Sequence, residues 1–289
     1  MDLRRPCRII DEENTVSTIG IVGLGNMGRA MARHLIAAEH AVVGFDPAAA
    51  ACEAASSLGV KIASTAAGVA AECELVFVVV GFDSEVETVF FGDSGLLEGA
   101  RPGLVVAIGS TLTPSYAFRL AERLKEQPIV LLDMPTTRGE VALAAGEILV
   151  LGAGDKIEFE RWQPVIRTFA KDIYHLGPFG AGQVAKMVNN LILWACMSAN
   201  DEGLRLGEAF GLSPDTLREA LGNSSAQNWA LSTRAEDRPV PWAEKDMMMV
   251  LREADEKRLS LPLCGTVKEV IKGYKIRHGI PMPHEGNRS

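Results

Sequence analysis

The strongest constraint on this chain is a short glycine series, Gly23-Leu24-Gly25-Asn26-Met27-Gly28, closing an apolar run at residues 19–24 and opening an alanine-rich helical pattern over residues 27–38. Each glycine has its own duty in a strand–turn–helix unit. Gly23 permits the tight turn, Gly25 lets backbone approach a pyrophosphate, and Gly28 lets the helix pack close to the sheet. Free N–H groups at the helix start, and the helix dipole, then meet the phosphate charge. Such a series alone is a weak signal. Here a second apolar run, 41–46, ends on Asp46, roughly 20 residues beyond the glycines, where a carboxylate accepts hydrogen bonds from ribose hydroxyls and repels a 2′-phosphate. Pro47 and a run of alanines follow it, with no cation to receive that phosphate. The expectation is NAD in preference to NADP, bound by Gly23, Leu24, Gly25, Asn26, Met27, Gly28 and Asp46, with Val80 at the end of the next apolar run.

Further uninterrupted apolar runs lie at residues 75–80, 104–108 and 129–133. They are β-branched and too short for helices, so they read as strands buried on both faces. Alternating with helical stretches such as 27–38 and 48–58, they predict an α/β fold: a doubly wound parallel sheet, extended by residues 148–151. The character changes at residues 175–182, a glycine-rich linker. A helical pattern then runs from 183 to 210, ahead of Gly211, about 40 Å of helix. Residues 214–221, 242–257 and 263–276 read as helices too. The expected division is a polar leader, 1–17, a Rossmann dinucleotide-binding domain, 18–178, and an all-helical domain for substrate and oligomerisation, 179–289.

The net charge of −8 speaks against a nucleic-acid partner, which needs a basic face. No window reaches the ~18 apolar residues of a membrane span. Five scattered cysteines, without a C-x-x-C pair, read as reduced thiols and hence a cytoplasmic protein. The histidines show no metal-ligand spacing, so no metal site is expected. Ile192, Leu193 and Trp194, consecutive on the long helix, are hard to bury in one small domain, which predicts a homodimer or homotetramer.

Lys186 and Asn190 stand one helical turn apart, sharing a face of a helix that leaves the cofactor domain. With these residues the chain resembles the β-hydroxyacid dehydrogenase family from Thr18 to about Tyr274. The marks are the glycine series, Ser110-Thr111, Asp133-Met134-Pro135-Thr136-Thr137-Arg138-Gly139, Gly180-Ala181-Gly182-Gln183-Val184-Ala185-Lys186-Met187-Val188-Asn189-Asn190, and Lys245-Asp246. The resemblance implies Lys186 as catalytic acid/base. It implies Asn190, with Asn189, as a substrate ligand, and Thr111 and Lys245 beside the nicotinamide. The substrate would be a small anionic hydroxy or oxo compound. Burial and a positive nicotinamide ring both weaken a lysine's hold on its proton, so an ammonium can protonate an alkoxide and an amine can accept a hydroxyl proton.

Two departures qualify the resemblance. The usual loop, Asp-Ala-Pro-Val-Ser-Gly-Gly, ends here in Thr137-Arg138-Gly139. An arginine closes space and brings a planar fork suited to oxyanions. Sulfolactaldehyde reductases of this family are similar there. Alternatively, Arg138 points outward to Glu140 or Glu147. Ala107 and Ile108 replace an aspartate common before Ser110-Thr111, leaving Ser110 as the substrate-side polar group. Trp229 and Trp242 are candidate pocket walls. Two other readings stand beside the dehydrogenase: an imine reductase, which typically lacks the lysine at position 186, and a dinucleotide-binding module without catalysis.

Overall fold

The computed structural model describes residues 16–233 and 240–283. The expected leader, save its last two residues, lies outside them, as does Cys7. Five of the expected runs form the parallel body of a sheet. In chain order the strands are β1 (Thr18–Val22), β2 (Ala41–Phe45), β3 (Lys61–Ile62), β4 (Leu75–Val78) and β5 (Leu104–Ile108). They continue with β6 (Ile129–Asp133), β7 (Thr136–Thr137), β8 (Ile148–Gly154) and β9 (Ala170–His175). The spatial order is β3-β2-β1-β4-β5-β6 and then β8, with β7 and β9 both paired to β8. The first six strands follow the 3-2-1-4-5-6 order of a Rossmann sheet, all parallel. Every residue of β4 and β5 is buried. That is why these central strands show unbroken apolar runs.

At the far edge the run expected to extend the sheet, residues 148–151, does so with a change of direction. β8 runs antiparallel to β6 and β7 and parallel to β9. β9 is not legible as a strand. Its sequence, Ala-Lys-Asp-Ile-Tyr-His, buries only Ala170 and so carries no apolar run.

Helices cover both faces. Around the sheet lie α1 (Asn26–Ala37), α2 (Ala49–Ser56), α3 (Ala66–Glu72), α4 (Asp83–Phe91), α5 (Leu96–Gly99), α6 (Pro114–Leu124), α7 (Gly139–Ala144) and α8 (Lys156–Ile166). Alternate strand residues feed two cores: Ile19, Ile21, Leu75 and Phe77 on one face, and Val22, Val76, Val78 and Val106 on the other.

The rest of the described chain is helical: α9 (Ala181–Ala209), α10 (Pro214–Gly222), α11 (Trp229–Thr233), α12 (Ala243–Glu256) and α13 (Pro262–Arg277). Their core joins α9, α12 and α13 through Trp194, Met247, Val250, Val267 and Ile271. Trp194 is therefore buried within its own chain, whereas Ile192, two residues earlier, is 57% exposed. No helix among the described residues is long and apolar enough to cross a membrane.

Candidate active site

Three loops leave the carboxyl ends of β4, β5 and β6, and α9 and α12 close over them. The glycine series forms the floor. Gly23 sits at φ +101°, and a Cβ there would fall 2.1 Å from the Val79 carbonyl oxygen. One on Gly28 would fall 2.0 Å from the Gly23 carbonyl oxygen. At Gly25, by contrast, a Cβ would meet nothing within 4 Å, and no side chain caps the start of α1. An open backbone surface ahead of uncapped helical N–H groups fits a pyrophosphate. Asn26 and Met27 open the helix, and Arg29 reaches back from its first turn to the Leu24 carbonyl (2.7 Å) and the Asn26 side chain (2.9 Å). Asp46 is buried just past β2, its carboxylate accepting from Leu24 N (2.9 Å) and Ala48 N (2.8 Å). It thus fixes the glycine turn from the side where an adenosine ribose would lie. Pro47 and alanines follow it in the chain, with no cation among them to receive a 2′-phosphate.

The loops after β4 and β5 are held by cross-braces. Ser110, also buried, accepts from Val80 N through its hydroxyl (2.7 Å), tying the β4 and β5 loops together. Thr111 follows, half-buried. Lys245 of α12 donates to the Gly81 carbonyl (2.6 Å), its ammonium 4.4 Å from the Phe82 ring centroid and 5.1 Å from that of Trp242. Burial lowers its pKa, opposed by the charges of Asp246, Asp83 and Glu85. A second brace from α12 is Glu253, buried, which accepts from Ser115 N (3.2 Å) and Oγ (2.7 Å) at the start of α6.

Lys186, half-buried, donates to the Thr136 carbonyl (2.6 Å). It therefore lies against the Thr136–Gly139 loop, where Thr137 is buried and paired with Leu149 and Gly139 opens α7. Asn190, one turn further and also buried, accepts from Asn189 Nδ2 (3.0 Å). Asp246 completes the surround by accepting from Trp194 Nε1 (2.9 Å). Burial pushes its carboxyl up, while the Lys186 charge, the Trp194 hydrogen bond and the Lys245 charge pull it down.

Arg138 turns the other way. Its guanidinium pairs with Asp172 of β9 (2.6 Å) and donates to the Glu147 carbonyl (3.0 Å). Of the two acids considered from sequence, Glu147 contributes only its backbone to this contact. Arg138 also sits at φ +79°, left-handed backbone that costs a non-glycine residue about 1–2 kcal/mol. The glycine usual in the family's loop would be unstrained there. Arg138, Asp172, Glu147, Lys171 and Trp229 help line a cavity of about 400 Å³, whereas Trp242 stays with Phe82.

Sequence reasoning assigned no role to Asp133 or Gln183, two completely buried polar side chains. Asp133 accepts from Gly180 N (3.0 Å), Gln183 N (3.1 Å) and Gln183 Nε2 (2.8 Å). The available signal was an acid ending an apolar strand, as Asp46 does. Burial raises the Asp133 carboxyl to about 6, against the hydrogen bonds from Gln183, Gly180 and Gly182. Since the folded pKa exceeds the unfolded one, this group's stabilisation is full below about pH 4 and is lost as pH rises through about 6, in total on the order of 2–3 kcal/mol. Thermal melts between pH 4 and 8 should show this slope, and Asp133→Asn should remove it. An unchanged slope in the variant would assign it to other groups.

Residues 18–177 match the family model described as the NAD binding domain of 6-phosphogluconate dehydrogenase. Residues 180–280 match that described as NAD-binding of NADP-dependent 3-hydroxyisobutyrate dehydrogenase. The 2-(hydroxymethyl)glutarate dehydrogenase of Eubacterium barkeri is 31% identical over 265 residues, 88% of each chain. The chain belongs to the β-hydroxyacid dehydrogenase family. Within that family, the 3-hydroxyisobutyrate dehydrogenase of Pseudomonas aeruginosa is 35% identical over 217 residues, 75% of this chain and 73% of its own. The solved Mycobacterium tuberculosis 3-hydroxyisobutyrate dehydrogenase, with L-serine, matches at a TM-score of 0.83 and 26% identity, over 93% of this chain and 97% of that one.

Proposed function

We propose that this chain transfers a hydride between NAD(H) and a small β-hydroxy acid or sulfonate analogue, with Lys186 moving the accompanying proton. It is a nicotinamide-dependent dehydrogenase of small hydroxy acids. The observation that carries the catalytic assignment is the Lys186 ammonium, half-buried and directed to the Thr136 carbonyl at the mouth of the strand-end loops. When bound, the nicotinamide supplies or accepts the hydride. Lys186 gives its proton to the substrate oxygen in reduction and takes the hydroxyl proton in oxidation. Asn190 and Asn189 hold the substrate beside it. The loop of Thr137, Arg138 and Gly139 receives the anionic group, the backbone N–H groups being the readier donors while Arg138 stays paired with Asp172; Ser110 joins them only by turning its hydroxyl from the Val78 carbonyl. Thr111, Val80 and Lys245 bound the nicotinamide. Gly23, Leu24, Gly25, Asn26, Met27 and Gly28 cradle the pyrophosphate, and Asp46 takes the ribose.

We place the cofactor domain at residues 18–178 and the helical domain at 179–289, in a cytoplasmic homodimer or homotetramer. The retained Lys186 weighs against an imine reductase, and the presence of both Lys186 and Asn190 weighs against a module without catalysis. The test is NAD- and NADP-linked absorbance across C3–C4 hydroxy acids and aldehydes with carboxylate, sulfonate, phosphate or no charged tail. Turnover of an anionic member with NAD, and weaker turnover with NADP, is expected. Turnover of cyclic imines alone, or NADH binding without turnover of any member, would overturn the proposal.

A further inference from the structure

Gln183 is completely buried, yet every polar atom of its amide is engaged. Its Oε1 accepts from Leu112 N (2.8 Å), and its Nε2 donates to the Ser110 carbonyl (3.0 Å) and to Asp133 Oδ1 (2.8 Å). Its own backbone N–H donates to the other oxygen of Asp133, at 3.1 Å. One side chain thus joins three pieces of chain: the loop after β5, the end of β6 and the first turn of α9. The two loop residues it grips, Ser110 and Leu112, flank Thr111. Lys186 lies three residues along α9 from Gln183, about 4.5 Å along the axis and close to the same face.

The geometry points to Gln183 as a positioning residue for proton transfer. Gripping both sides of Thr111, and keyed to Asp133 at the strand end, it fixes the start of α9 against the loop beside the nicotinamide. That sets the separation between the Lys186 ammonium and the substrate carbon that exchanges hydride. The inference rests on the reading of Lys186 as acid/base and of Thr111 as a neighbour of the nicotinamide. Other anchors of the same helix start do not supply this link. The Gly180 N–H reaches only Asp133, so it fixes the helix to β6 but not to the β5 loop. A buried amide with both donors and its acceptor satisfied is costly to replace, and that cost holds the helix in one register.

The test is a double-mutant cycle of Gln183→Met and Lys186→Ala, each variant and the pair assayed for kcat, KM, NADH dissociation constant and melting temperature. A misplacement of the order of 1 Å should lower kcat in Gln183→Met by about 10- to 100-fold. The NADH dissociation constant should move by less than about threefold, because the pyrophosphate loop is untouched. In the Lys186→Ala background, where the group it positions is gone, Gln183→Met should change the residual rate by less than about twofold. Gln183→Leu, which sets no second acid against Asp133 and the Ser110 carbonyl, runs the same cycle should the methionine variant not fold. Equal losses with and without Lys186 would overturn the inference alone, showing that Gln183 only supports the fold. So would a kcat within about twofold of the parent in a folded Gln183 variant. A Lys186→Ala enzyme with parental kcat would overturn both this inference and the proton-transfer reading beneath it.

Discussion

Lys186→Ala should fold, bind NADH as the parent does, and lose about 10²–10⁴-fold in kcat, the range for a positioned proton donor. The fold should survive because α9 is 29 residues long and its core contacts run through Met187, Leu191 and Trp194 rather than through Lys186. Two local consequences follow. The Thr136 carbonyl loses its donor, and Asp246 loses the largest influence that keeps its buried carboxyl down. Asp246 should then take up a proton at higher pH than in the parent, a shift that difference titration by NMR would follow. Arginine should not restore activity, because a guanidinium keeps its proton near neutral pH. A Lys186→Ala enzyme that turns over at close to the parental rate would remove the lysine from the chemistry and leave it as a brace for the Thr136–Gly139 loop.

What the sequence disclosed, and what it hid, follows from where each residue finds its partners. The glycine series and Asp46 were legible because their partners are local or lie in the next strand, so the spacing itself encodes the turn. The buried strands were legible for a similar reason: β4 and β5 have apolar neighbours on both faces. At the edge this signal fails. β9 buries only Ala170 and is made a strand by β8, which pairs with it along its length. The antiparallel return of β8 onto β6 is likewise a tertiary fact. Lys186 was found through resemblance, and its spacing from Asn190 is that of any surface pair on a helix. The groups that set its position, Asp133 and Gln183, interact across about 50 residues of chain, a separation that no local pattern carries. Arg138 marks the other limit. Its chemistry suggested an anion clamp, but nothing local announced Asp172, which draws the guanidinium to β9 instead.

Gly25→Val should leave the melting temperature nearly unchanged and yet weaken NADH binding by about 100-fold, or some 2.7 kcal/mol. Gly28→Ala should do the reverse in order of cause, losing about 3 kcal/mol or more of stability before any question of cofactor arises. The two glycines belong to one motif, but they are glycine for different reasons. Gly28 faces protein: a Cβ there would press to 2.0 Å from the Gly23 carbonyl oxygen and 3.3 Å from Ile21 Cγ2. Helix α1 would have to move off the sheet, opening the core around Met31, Ala32 and Leu35. Gly25 faces open space, with φ −65° and extended backbone that any residue adopts. A Cβ there meets no atom of the protein within 4 Å, so the folded state loses little beyond the N-cap preference for glycine over valine. What it would meet is the pyrophosphate drawn to the first N–H groups of α1, and even two methyl groups hold a phosphate beyond hydrogen-bonding reach. Melting curves with and without NADH separate the two cases, because a ligand raises the melting temperature only if it binds the folded protein. Gly25→Val should melt like the parent alone and show little rise with NADH. Parental stabilisation by NADH in that variant would mean that the pyrophosphate does not cross Gly25, and the cofactor would have to lie elsewhere along the strand ends.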